Sequence, residues 1–166
     1  MRIFTEYLLL APIALLLAAQ GCTATGPRQA AERLAWGEPT WGPSVEGLQC
    51  RLRPERRDWL ISETPVLQFD LRNDGKRTFA FWPAQKTQLC EIEFDGKWRR
   101  WPEAVMIDSQ AWPLTPGAQY NAVTIEPDKR FGIKLTPGRH ILRIAFTLEG
   151  VRVVSNPVGI KILAPK

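Results

Sequence analysis

Three cysteines, a single histidine and seven tryptophans are the residues of this 166-residue chain with the most distinctive chemistry. Cys50 and Cys90 each fall at an apolar position of an alternating segment, and Cys22 stands apart near the N-terminus. In an oxidising compartment, Cys50 and Cys90 are the even pair a disulfide needs. Such a bridge would close a loop of about 40 residues and stabilise by ~4 kcal/mol. The alternative is two separate thiols packed as small hydrophobes. A catalytic cysteine would have His140 alone as partner, and His140 alternates with Leu142 and Ile144, the pattern of a partly buried structural histidine. Ser44, Ser62, Ser109 and Ser155 sit in turn-like contexts, and no Gly-x-Ser-x-Gly elbow occurs. Glu91, Glu93 and Asp95 alternate onto one face of a hairpin, where they could hold Ca²⁺ or act as an acid–base pair. The simpler reading is a solvated face paired with Arg99 or Arg100 across the hairpin. One histidine excludes a multi-histidine metal site, and no glycine-rich phosphate loop is present. The expectation is therefore no catalytic residue, no metal site, no cofactor and no enzyme.

The tryptophans are Trp36, Trp41, Trp59, Trp82, Trp98, Trp101 and Trp112. Strand alternation puts Trp98 and Arg100 on one side, with Arg99 and Trp101 on the other. Exposed indoles stack on sugar faces, and Trp and Arg dominate the energetics of protein interfaces. Trp98, Arg100, Trp101 and Trp112 form the candidate binding surface. The competing role is to plug the open ends of a small core.

These side chains need elements to position them. From Trp36 onward apolar residues recur with period two: Leu48, Cys50, Leu52; Leu67, Phe69, Leu71; Phe79, Phe81; Cys90, Ile92, Phe94; Val123, Ile125; Phe131, Ile133, Leu135; Leu142 to Leu148; Val151 to Val154; and Val158, Ile160, Ile162. Turn sequences separate them, among them Asn73-Asp74-Gly75, Asp95-Gly96 and Glu149-Gly150. With 14 Pro and 12 Gly, the pattern predicts eight to ten short strands in a single all-β antiparallel sandwich. Residues 102–120 read as an irregular excursion.

The N-terminus reads as a secretory signal: Arg2, an apolar core from Tyr7 to Ala19, then Ala19-Gln20-Gly21-Cys22. The apolar run is too short to span a bilayer. Cys22 after a small residue resembles the lipobox of bacterial lipoproteins, which implies lipidation of Cys22 and cleavage before it. Thr23, in place of Asp, implies the outer membrane on its periplasmic side. Residues 22–35 read as a flexible tether and 36–166 as the folded domain.

Phe69 to Gly75, Leu114 to Gly117 and Leu135 to His140 resemble the turns of Ig-like bacterial modules. With the Glu93–Trp98 hairpin, their order is similar to the intracellular proteinase inhibitor type of β-sandwich. Trp36 to Glu38, Gly47 to Arg53 and Val151 to Val158 look like a bacterial envelope module appended to larger exported proteins. The resemblance implies fold more than function. The functional expectation is a membrane-tethered envelope lipoprotein, probing a protein or glycan partner as a non-catalytic binding or structural module. The alternatives are a proteinase inhibitor or a carbohydrate binder using exposed Trp. The net charge of +5 suits anionic surfaces, but its scatter and the export signal predict no nucleic-acid partner, and a monomer.

Overall fold

The computed structural model describes residues 27–81, 90–101 and 112–165. The signal segment 1–21, Cys22 and Trp82 lie outside the described residues, as does most of the expected excursion. Eleven strands are present among those described. Strand β1 (Leu48–Pro54), β3 (Leu67–Asn73) and β8 (Gln119–Ile125) form one antiparallel sheet with β3 in the centre. A larger sheet has the order β2 (Asp58–Leu60), β11 (Val158–Leu163), β9 (Gly138–Leu148), β5 (Cys90–Phe94), β6 (Lys97–Arg100), with β10 (Val151–Val154) also paired to β9. Strands β4 (Phe79–Phe81) and β7 (Trp112–Leu114) make a separate pair.

The alternation dictates how the two larger sheets meet. Leu48, Cys50 and Leu52 of β1 and Leu67, Phe69 and Leu71 of β3 are buried. They join one apolar core with Ile92, Leu142, Ile144, Phe146, Ile160 and Ile162 of the larger sheet. The rings of Phe69 and Phe146 meet across the layers at 5.4 Å. Asp95 and Gly96 both take positive φ, 47° and 82°, the backbone that a two-residue turn between β5 and β6 requires. Glu149 and Gly150 repeat it between β9 and β10.

Several elements depart from the sequence expectation. The fold is mostly β and antiparallel, as expected, but β2 pairs with β11 in parallel. Phe131, Ile133 and Leu135 do not form a strand. Helix α2 (Pro127–Phe131) ends at Phe131, and Gly132 closes it in the left-handed region at φ 60°. Pro127 at the first helical turn, Asp128 near the N-terminus and Lys129 and Arg130 near the C-terminus are the reasons: each favours a short helix at its own end. Strand β8 begins at Gln119, inside the range expected to be irregular. Helix α1 (Pro27–Trp36) occupies most of the segment read as a tether. Ala35 is fully buried, and Arg57 donates to the carbonyls of Ala35 (2.9 Å), Gly37 and Gly159 (3.0 Å), fastening the end of α1 to β11. Among the described residues no helix is long and apolar enough to cross a membrane.

Candidate functional site

The outer face of the larger sheet collects the charged residues that alternate with its core residues. Register sets Glu93 opposite Trp98 on one side and Arg143 on the other. Glu91 stands opposite Arg100 and Ala145. Trp98 is 38% exposed. Its ring lies under two guanidiniums, 4.9 Å from Arg152 and 5.7 Å from Arg143. Glu93 pairs with Arg143, and Glu91 with Arg152 at 3.1 Å and more loosely with Arg100 at 3.9 Å. Arg100 is three-quarters exposed, and Lys97 and Arg99 are exposed on the same strand. The acidic face is therefore neutralised chiefly by β9 and β10, not by the hairpin's own arginines. That geometry leaves neither Glu91 nor Glu93 free to act as an acid–base pair. No cluster of metal-ligating side chains occurs among the described residues.

Of the four expected surface residues, Trp98 and Arg100 come together. Trp101 does not belong with them: it is 6% exposed and packs edge-on against Phe131 at 5.2 Å. The β5–β6 pairing continues one residue past Arg100, where the Trp101 N–H donates to the Cys90 carbonyl, and alternation sets Trp101 on the core face, opposite to Trp98 and Arg100. Trp112 is exposed but lies on β7, set edge-on to Tyr120 at 6.2 Å. His140 is 6% exposed. Its Nδ1 lies 2.7 Å from Asp95 Oδ2 and its Nε2 2.7 Å from the Thr136 carbonyl, and the ring stacks on Phe94. Asp95 Oδ1 accepts the Ile141 N–H, so this carboxylate clips the β5–β6 turn to β9. Cys50 and Cys90 are buried and carry free thiols. Burial pushes the Cys50 thiol up to about 12 against the opposing pull of Arg152, and raises that of Cys90 as well. Neither is a nucleophile at neutral pH.

The smaller sheet carries a second charged face that the sequence reading did not assemble. Asp70 points outward from β3 yet is fully buried. Arg53 grips it with two hydrogen bonds, Nε to Oδ2 at 2.6 Å and Nη2 to Oδ1 at 2.8 Å, and Arg51 Nε adds a third at 2.9 Å. Trp41 lies between Arg51 and Arg72, at 4.5 and 4.4 Å. Arg51 and Arg53 at outward positions of one strand, with Asp70 outward on another, were the available signal; the cross-strand register was not.

Guanidiniums over aromatic rings recur across the molecule. Trp36, Trp41, Trp59 and Trp98 each carry one or two, and Phe79 carries Arg77. These are eight contacts among the described residues, where about two would be ordinary for a chain segment of this size. Among the described tryptophans, Trp59 and Trp101 are buried, Trp36, Trp41 and Trp98 are covered by arginine, and Trp112 is exposed beside Tyr120.

No family model matches the chain, and no curated protein matches it. A solved structure that matches is the alkylpurine DNA glycosylase AlkC of Pseudomonas fluorescens, bound to DNA containing an abasic site analogue. Its TM-score is 0.42 at 15% identity. The match covers 83% of this chain and 34% of the glycosylase, so the chain spans about a third of that protein's length. This finding corrects three expectations: that the chain is no enzyme, that its partners exclude nucleic acid, and that it acts as a non-catalytic envelope module for a protein or glycan. The structure it matches is a DNA glycosylase bound to DNA. No residue's role is carried over from it.

Proposed function

We propose that the chain binds a single-stranded polyanion, with nucleic acid as the class, on the outer face of the larger sheet. The observation that carries this reading is the partly exposed Trp98 ring lying among Arg143, Arg152 and the largely exposed Arg100, which is only loosely paired with Glu91. An exposed ring gives a base a stacking platform, and surrounding guanidiniums engage the phosphates. The net charge of +5 adds a sequence-independent attraction. The scaffold we read as an Ig-like sandwich, supported by the two largely antiparallel sheets that share one core.

Fluorescence anisotropy with a labelled oligothymidine tests it. Binding at low salt is expected to weaken as salt rises. Trp98→Ala should weaken it about tenfold, within the range of one stacked base. Arg100→Ala should lower the slope of log affinity on log salt by ~0.7. Absence of binding at 50 mM salt, or affinity indifferent to Trp98, would overturn the proposal.

Residence is a separate proposal. The signal-like N-terminus supports export and lipidation at Cys22, with the folded part on the extracytoplasmic side. Cys22→Ala should move the chain from the membrane to the soluble fraction; retention at the membrane would refute it.

A further inference from the structure

Helix α1 is fastened to the larger sheet at its C-terminal end. There the Trp36 indole lies flat on Gly159, so close that a Cβ on that glycine would stand 2.7 Å from the ring. Toward the N-terminal side, a cleft of about 960 Å³ opens between α1 and the outer face of β9. Its volume is that of a small-molecule site. One wall is Ala30, Ala31 and Leu34; Ile141 and Pro157 stand on the sheet side. Leu34 is 53% exposed, an uncovered apolar surface on a helix that elsewhere buries Ala35.

The charges around this cleft are not equivalent. Glu93 is taken by Arg143, and Asp95 by His140 and the Ile141 N–H. Glu32 stands exposed on α1, at the rim. Arg139 has no carboxylate partner among the described residues, and its guanidinium only stacks over Trp36 at 4.8 Å. Beside its paired charges the cleft thus offers apolar walls, the always-charged guanidinium of Arg139 and, at the rim, the carboxylate of Glu32, also unpaired among the described residues. We propose that it binds a small amphiphile with a carboxylate head, its chain between α1 and β9 and its head on Arg139. A singly charged head matches one unpaired guanidinium, and planar bidentate pairing is the geometry that guanidinium favours. This inference does not depend on the polyanion reading, which uses the neighbouring Trp98 face.

Calorimetry of the purified full chain with decanoate, below its micelle concentration and at neutral pH, tests it. One decanoate per chain is expected, with Arg139→Gln weakening binding at least tenfold. Ala31→Trp, which fills the cleft, should abolish it while circular dichroism stays unchanged. Decanol and a decyltrimethylammonium salt should each bind at least tenfold more weakly than decanoate. Trp98→Ala should leave decanoate binding intact, so failure of one site is read independently of the other. No heat of binding with decanoate, equal binding of decanol or the cationic amphiphile, or undiminished binding by Arg139→Gln would overturn the proposal.

Discussion

Asp70 occupies a position that strand alternation assigns to solvent, and three hydrogen bonds from two arginines keep it buried there. Burial alone would raise its carboxyl; the hydrogen bonds from Arg53 and Arg51 more than offset this and hold it below the usual carboxylate range. A carboxyl lowered in the folded state adds stability above its unfolded value of about 3.9, and that stability is lost as pH falls through the folded value. Asp70→Asn should therefore cost about 2–3 kcal/mol at pH 7, below the range for wholly buried pairs because both arginines are partly exposed. The gap to the parent should narrow below pH 4, read by urea unfolding at each pH. At the same scale, Cys50 and Cys90 should resist a thiol reagent at pH 8 in the native fold and react as two equivalents once denatured. Rapid native labelling would contradict their burial. The burial of both cysteines was legible, since each sits in an alternating run. The fate of Trp101 was half legible: alternation set it on the face opposite to Trp98 and Arg100, but that this face is the core follows from its pairing with buried Cys90.

Elements were legible where one period dominates and turn chemistry is explicit. Asp95-Gly96 between two alternating runs specified the β5–β6 hairpin, and the same reasoning located β1, β3, β9 and β11. Where the two periods compete, the short range misleads. Phe131, Ile133 and Leu135 alternate, but Pro127 and the charges around it start a helix first, and Gly132 then stops it. Strand β2 has only three residues and one buried side chain, Trp59, so it carries almost no period of its own; its parallel pairing comes from β11. Helix α1 depends on a contact between Trp36 and Gly159, 123 residues apart. Gly159→Ala would drive a methyl into the Trp36 ring. It should release α1 without unfolding the sheets, seen as faster amide exchange and tryptic cleavage after Arg33, with the main unfolding transition nearly unmoved.

At the scale of the molecule, the all-β, largely antiparallel character followed from composition and turn spacing, because many short segments punctuated by Pro and Gly leave few other ways to bury apolar residues. The candidate site was half legible. Trp98 and Arg100 lie two residues apart on one strand, but Arg143 and Arg152 reach them only through pairing across β5, β9 and β10. A charge pattern written along one strand cannot reveal which residues of another strand it will face.

The arginines laid over Trp36, Trp41 and Trp98 have a colloidal consequence. Each ring shields the sheet beneath it from water, and each guanidinium shields the ring from neighbouring molecules while keeping a like charge outermost. Two faces that would otherwise be adhesive become mutually repellent. Replacing Arg51 and Arg72 together by serine should uncover Trp41 and lower the concentration at which the protein self-associates, with light scattering as the measure. Adding salt to the parent chain should move it the same way, because screening weakens the repulsion while the rings stay covered.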